Sequence, residues 1–374
     1  MSKGLERGRY AEKNRSVGAL IRRIVLSLRC MKVVIDDKIP YIRDAAAQIF
    51  DEVVYLPGSE IAPRDVRDAD ALVVRTRTRC NEALLRGSRV KMVATATIGF
   101  EHLDVDYLRQ AGIAWSNCPG CNATSVGQYV RNALLVLKRQ GSWCPTQSCV
   151  GIVGVGHVGR AVMEALQPLG CEFLLNDPPR QEAEGGPFVS LEEVARRCDV
   201  ITFHTPLTKS GRHPSYHLAD DRFFRLLQRR PILINAARGS VVDTKALLRA
   251  MDEDRVSATV IDTWEDEPNI SPELLRRCTI GTPHIAGYSA DGKSHASQMA
   301  LEAVCRHFHL PVTFHIQPPP LPAELERPLD WEQETLMLYN PCADSDALKA
   351  HPEDFEFMRG HYPLRREQWD QQPG

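Results

Sequence analysis

The sequence predicts an α/β protein with two doubly wound parallel-sheet domains and a small C-terminal appendage. Three observations carry this. Short β-branched runs alternate with helical-length segments, a Gly-x-Gly-x-x-Gly stretch directly follows one of those runs, and 374 residues exceed what one ordinary core accommodates.

The runs come in order. They are Lys32–Ile35, Ala71–Val74, Met92–Ala96 and Ile113–Trp115, then Cys149–Val155, Phe173–Leu175, Val200–Phe203, Ile232–Asn235, Ala258–Ile261 and Thr279–Gly281. Near-continuous apolar runs of this length suit strands covered on both faces, as in parallel sheets. Ten strands are too many for one small sheet, and the split falls after Asn122. There Thr124 or Ser125 is placed to cap a helix reaching about Arg139. A second long helix is expected over Gly287–His307, where Ala296, Met299, Ala300, Ala303 and Val304 recur at helical spacing. It would return the chain to the first domain. The expected division is 31–122 plus about 285–310 as the first domain, 123–284 as the second, which holds the Gly-x-Gly-x-x-Gly stretch, and 311–374 as the appendage. Ten of the 25 prolines lie in the last 69 residues, so an extended linker is expected there, followed by short apolar clusters that pack on a partner.

Composition limits the function. Forty-six basic and 48 acidic side chains leave a net charge of −2, no overall footprint for nucleic acid or an anionic membrane. No apolar run approaches the roughly 20 residues that span a bilayer. Eleven scattered cysteines are not a secreted disulfide framework, so the expected compartment is a reducing cytoplasm. Cys118 and Cys121 have Cys-x-x-Cys spacing but no second such pair, and they are read as loop thiols with no metal. Residues 1–30 carry eight Lys or Arg against two Glu, and are read as an unstructured extension, with Met31 opening the first strand.

The stretch Gly151-Ile-Val-Gly154-Val-Gly156-His157-Val158-Gly159 has strand before it and helix-compatible sequence after it. A second strand follows and closes on Asp177, eighteen residues past Gly159. That is the βαβ context a dinucleotide fingerprint requires. The glycines admit a pyrophosphate to the helix N-terminus, where free N–H groups and the dipole favour anions. Asp177 would accept from both ribose hydroxyls and repel a 2′-phosphate, so NAD is expected over NADP. Pro178 and Pro179 would stiffen the wall beside the adenosine.

Three charged residues lie at or just beyond strand ends, the side that faces a ligand in open α/β sheets. Arg238 follows Ile232–Ala237, Glu267 lies in Asp262-Thr-Trp-Glu-Asp-Glu-Pro268, and His284 follows Pro283. Oxidation of a 2-hydroxy acid needs these three types. Arginine grips the carboxylate, histidine takes the hydroxyl proton, and the carboxylate orients the imidazole.

These stretches, with His204-Thr-Pro-Leu-Thr208 and Asn235-Ala-Ala-Arg-Gly-Ser-Val-Val-Asp243, resemble the D-2-hydroxyacid dehydrogenase family. The resemblance covers roughly Met31 to His307. It implies two Rossmann-like domains, NAD as cofactor, and Arg238, Glu267 and His284 as catalytic trio. It further implies that Gly154, Gly156, His157, Val158, Gly159, Asp177, Thr205, Asp262 and Gly287 bind the cofactor, with Asp262 on the nicotinamide carboxamide. A narrower set resembles a branch acting on a phosphorylated 2-hydroxy acid: Pro40-Tyr-Ile-Arg-Asp44, Ala94-Thr-Ala-Thr-Ile-Gly99, Pro119-Gly-Cys-Asn-Ala123, Asn176-Asp-Pro-Pro179 and His284-Ile-Ala-Gly-Tyr288. It implies Thr76, Thr97 and Tyr288 as substrate contacts and a homodimer built on the C-terminal region. Arg75, Arg77 and Arg79, read as one face of an extended segment, are candidates for the phosphate. Two alternatives stay open: a sibling acting on 3-phosphoglycerate or a simple D-2-hydroxy acid, and a non-catalytic NAD-sensing protein.

Overall fold

The structure is a computed structural model that describes residues 30–322 and 324–369. Apart from Cys30, the extension expected at 1–30 lies outside the described residues. The chain divides into two compact units. The smaller takes the chain to Cys118 together with Ser297–Ile316, and the larger takes Pro119–Ala296 with the chain from Gln317 onward.

The smaller unit is a five-stranded parallel sheet of β1 (Lys32–Asp36), β2 (Glu52–Leu56), β3 (Ala71–Val74), β4 (Met92–Thr95) and β5 (Ala114–Ser116), in the order β2-β1-β3-β4-β5. Strands β3 and β4 are buried at every residue, as continuous apolar runs require. Strand β2 was not expected. It is an edge strand with one neighbour, exposed at Glu52 and half-buried beyond it, so its sequence lacks the fully apolar signature. The Arg75–Arg79 segment is corrected: it is a turn closed by Thr78 N–H on the Arg75 carbonyl (3.3 Å), not extended, so alternate spacing does not align the three arginines.

The larger unit holds β6 (Cys149–Val153), β7 (Glu172–Asn176), β8 (Val200–Phe203), β9 (Ile232–Asn235), β10 (Ala258–Ile261) and β11 (Ile280–Gly281). They form one parallel sheet in the order β11-β10-β9-β8-β6-β7. The direction of winding reverses between β6 and β8, which opens a crevice beyond their carboxyl ends. Alternate residues feed opposite cores. Val200, Ile232 and Ile234 meet Tyr129, Val130 and Leu134 of helix Ala123–Arg139, whereas Ile201, Phe203 and Leu233 meet the helices after β7 and β9. That long helix begins after Asn122, and neither Thr124 nor Ser125 caps it. Ser125 is buried instead, its hydroxyl on Ser289 and Glu367. The second long helix runs Ala290–Phe308.

The C-terminal segment closes cores of its own chain. Leu348 and Phe355 complete one core of the larger unit and Tyr339 the other. Ser345 Oγ accepts from Gly281 N–H in β11 (3.0 Å), and Lys349 Nζ donates to the Cys278 carbonyl (2.7 Å). The short helices bury few large apolar side chains, Leu348 and Phe355 among them, too few for a separate core but enough to close an existing one. No helix among the described residues is long and apolar enough to cross a membrane.

Candidate active site

The loop after β6 is shaped by its glycines. Gly154 has φ of +89°, and a Cβ there would lie 2.8 Å from the His204 carbonyl and the Thr205 nitrogen. A Cβ on Gly159 would lie 2.1 Å from the Gly154 oxygen, so only glycine lets helix His157–Leu166 approach β6 this closely. At Gly156 the same construction meets nothing within 4 Å, and no side chain caps the helix. No side chain at position 156 therefore blocks an anion from the start of the helix.

Beside this loop lies a cavity of about 480 Å³, walled by Pro178, Pro179, Leu191, Pro206 and Leu218 and edged by Asp177 and Thr205. Asp177 directly follows β7 and takes one N–H on each oxygen, from Val155 (2.8 Å) and Arg180 (3.1 Å). This holds the carboxylate at the cavity edge with lone pairs to spare. The prolines occupy the first turn of helix Pro178–Glu184. Thr205 Oγ1 is buried with no hydrogen-bond partner, and so is His204 Nδ1. An unmet buried polar atom costs about 1–3 kcal/mol, which a polar ligand relieves. Burial pushes His204 down to about 3, so its ring is neutral, with Nε2 on Thr202 Oγ1 (2.9 Å). An apolar slot, a fixed acid, an unpartnered hydroxyl and an open glycine before a helix fit an adenine dinucleotide.

The structure brings His284 and Glu267 together: His284 Nδ1 lies 2.8 Å from Glu267 Oε2. Glu267 Oε1 accepts from Trp264 N–H (2.8 Å), and Arg359 Nη1 lies 3.7 Å from Oε2. Burial pushes the Glu267 carboxyl up. The hydrogen bond and charge of His284, the Trp264 amide and the Arg359 cation outweigh burial and hold it below the ordinary carboxylate range. His284 keeps 24% of its side chain exposed and has φ of +57°, a conformation costing roughly 1–3 kcal/mol outside glycine. Asp262 sustains it. His284 N–H donates to the Asp262 carbonyl (2.9 Å), while the Asp262 carboxylate accepts from Thr282 Oγ1, Ile285 N–H and Ala286 N–H at 2.7, 2.7 and 3.0 Å. Asp262 is 1% exposed, and burial pushes its carboxyl up. Its visible work is to brace this loop.

Arg238 follows β9 and is exposed, donating to the Ala237 carbonyl (2.7 Å), and it joins no salt bridge among the described residues. Asn235 Nδ2 reaches the carbonyls of Arg238 (3.1 Å) and Thr263 (3.4 Å), tying the arginine loop to the loop after β10 that bears Asp262. Gly287 leaves room for Asn122, whose Nδ2 donates to its carbonyl (3.3 Å). Tyr288 is half-buried, with Lys293 Nζ 4.7 Å from its ring centre.

The remaining expected substrate residues belong to the smaller unit. Thr97 Oγ1 donates to the Gly99 carbonyl (2.8 Å) and pairs with Thr95 Oγ1 (2.6 Å), Thr76 is exposed in its turn, and Arg75 pairs with buried Asp36 (3.3 Å). Cys118 and Cys121 are both buried, and burial pushes the Cys121 thiol up to about 11.

Two arginines escaped the sequence reading. Arg359 stands behind Glu267. Arg365, 7% exposed, donates to the carbonyls of Ile285 (3.0 Å), Ala286 (2.7 Å) and Tyr288 (2.7 Å). No local signal marks them, because their partners lie about 80 to 90 residues upstream in the chain.

Residues 134–286 match the family model for the D-isomer specific 2-hydroxyacid dehydrogenase NAD binding domain. Erythronate-4-phosphate dehydrogenase of Bacteroides thetaiotaomicron is 54% identical over 339 residues, covering 90% of this chain and 97% of that protein. The Porphyromonas gingivalis enzyme of the same name is 42% identical over 346 residues, covering 90% and 94%. In fold, the chain is similar to apo D-mandelate dehydrogenase of Rhodotorula graminis, with TM-score 0.61 at 22% identity over 78% of this chain and 99% of that one.

Proposed function

The chain belongs to the D-2-hydroxyacid dehydrogenase family, in its erythronate-4-phosphate dehydrogenase branch, and on that premise we propose its substrate and the work of each residue. It is an NAD-dependent oxidoreductase of CH–OH groups. The substrate is 4-phospho-D-erythronate, oxidised at carbon 2 to (R)-3-hydroxy-2-oxo-4-phosphooxybutanoate in the biosynthesis of pyridoxal 5′-phosphate.

The observation that carries the reading is the 2.8 Å contact between His284 Nδ1 and Glu267 Oε2. With Nδ1–H given to a carboxylate, Nε2 keeps its lone pair and accepts the hydroxyl proton. Glu267 steadies the ring as it gains charge. Arg238, unpaired with any acid among the described residues, grips the substrate carboxylate through its fork. NAD, when bound, supplies the hydride acceptor. Asp177 would hold the adenosine ribose, Thr205 and the Gly154–Gly159 loop with His157 and Val158 the pyrophosphate side, and Asp262 and Gly287 the nicotinamide side. Thr76, Thr97, Tyr288 and the Arg75–Arg79 turn are the proposed substrate contacts. Arg75 already shares its charge with Asp36, which leaves Arg77 and Arg79 to share in the phosphate.

We place the protein in the cytoplasm, since all eleven cysteines are free thiols. We propose a homodimer through the exposed apolar side chains Leu329, Trp331 and Met337.

The test is turnover of purified protein on 4-phospho-D-erythronate and, separately, 3-phospho-D-glycerate, with a 2-oxo acid present to reoxidise NADH and the products read by mass spectrometry. Preference for 4-phosphoerythronate supports the assignment. Preference for phosphoglycerate keeps the trio and discards the substrate. Binding of NAD without turnover of either overturns the enzymatic reading in favour of a sensor.

A further inference from the structure

The residues after 350 were expected to serve association between chains. Within the chain, their polar contacts reach the loops of the candidate site. Helix Phe355–Gly360 is anchored by Phe355, 1% exposed in the core that also holds Trp264. From that anchor Arg359 reaches Glu267 Oε2 at 3.7 Å, the same oxygen that receives His284 Nδ1. Six residues on, Arg365 donates to three carbonyls of the loop that follows His284, and its own carbonyl accepts from Ala290 N–H (2.8 Å). Between them Tyr362 lays its ring edge against Tyr288 (centres 6.3 Å apart) and donates its hydroxyl to Asp344 (2.9 Å). One short segment therefore touches the carboxylate, the histidine loop and the tyrosine beyond it.

We propose that this segment serves the active site of its own chain, with Arg359 as a positioning residue for the Glu267–His284 pair. The inference rests on reading that pair as the acid–base centre. A carboxylate that must point one lone pair at Nδ1 is free to rotate unless its other directions are occupied. Trp264 N–H occupies Oε1, and the Arg359 guanidinium occupies the flank of Oε2. A cation there also keeps the carboxylate ionised, so that it accepts the Nδ1 proton's hydrogen bond without taking the proton. The titratable and charged groups facing Glu267 are His284 and Arg359. Asp262 lies behind His284, and Glu356 lies 3.9 Å from Arg359, a distance that leaves the guanidinium shared rather than neutralised. Helix Phe355–Gly360 thus does for Glu267 what Glu267 does for His284.

The test uses the full chain. Carboxyl carbon NMR follows the titration of Glu267 without cofactor in the parent, R359Q and R359K, alongside steady-state kinetics with 4-phospho-D-erythronate and NAD. R359Q is expected to lower kcat about tenfold, less than loss of the base itself, with KM values within about twofold. Its Glu267 midpoint is expected to move to higher pH, and R359K to restore both. A parental kcat in R359Q, or a midpoint that does not move, overturns the proposal. If R359Q does not fold, R359M keeps the aliphatic stem and is judged by the same two criteria. H284N separates the premises. Normal turnover in H284N would fail the acid–base reading itself, whereas a crippled H284N beside an unaffected R359Q fails this inference alone.

Discussion

A Cβ placed on Gly239 would lie 1.7 Å from the Trp264 carbonyl oxygen and 2.5 Å from the Glu265 nitrogen. The loop that carries Arg238 and the loop that leads to Glu267 therefore touch backbone to backbone, with no space for a side chain. Asn235 ties the same two loops with its amide. Further out, His217 Nε2 on Glu265 Oε1 (2.6 Å) joins them to the His204–His217 stretch. Arginine and glutamate are thus held in one rigid frame although 29 residues separate them in sequence.

Gly239→Ala should break that frame. The methyl group meets a peptide rather than a movable side chain, so the loops must part, at a cost of about 1–3 kcal/mol. Denaturant melts should show the loss, and kcat/KM for the hydroxy acid should fall while affinity for NAD, measured by fluorescence quenching, holds. A stable and fully active variant would show the contact to be unimportant.

His284→Asn should lower kcat by ~10²–10⁴, the usual worth of a general base. Cofactor affinity should be unchanged, because the His284 side chain is no part of the wall around the Asp177 cavity. Stopped-flow measurement of NADH formation separates the two effects.

Asp177→Ser retains a hydroxyl to cap helix Pro178–Glu184 and removes the negative charge together with the oxygen that accepts from Val155 N–H. Loss of charge-assisted hydrogen bonds worth about 1.5–3 kcal/mol should weaken NAD roughly 10- to 100-fold and relax the rejection of NADP. Unchanged discrimination between the two cofactors, by competitive titration, would mean the ribose contact lies elsewhere.

Buried Asp262 and half-buried Glu267 should act oppositely on stability as pH changes. Glu267 is held below its ordinary value, so its contribution is fully present above the unfolded value, about 4.3, and is lost as pH falls through the lower folded value. Asp262 is raised by burial, so its ionisation costs stability as pH climbs from about 3.9 toward its folded value. Glu267→Gln should therefore be less stable than the parent near neutrality and converge with it in acid below about pH 4. Asp262→Asn should diverge in the other sense, tempered by the three donors its carboxylate now satisfies. Urea melts between pH 3 and 7 decide this.

Much of the fold was legible because a parallel strand advertises itself locally. Continuous apolar runs such as Ala71–Val74 and Val200–Phe203 have no other economical use than burial on both faces. The glycine loop was equally legible, since its spacing records steric facts a few residues apart, such as Gly159 against Gly154. Edge strand β2 was not, for an edge with one neighbour tolerates Glu52 and mixed burial. The Arg75–Arg79 turn was misread because alternation means one face only in an extended chain.

By itself the sequence determined the layered α/β class and the dinucleotide loop with Asp177 at its edge, and it singled out Arg238, Glu267 and His284 as candidates. Only tertiary structure decided which groups hold them. Asp262 braces the strained histidine loop, Gly239 locks two loops by contact, and Arg359 and Arg365 arrive from a segment that reads as an appendage. The physical reason is the nature of the partners. A strand's environment is written in its own side chains, whereas a buried arginine that binds backbone carbonyls 80 residues away depends on acceptors every residue possesses.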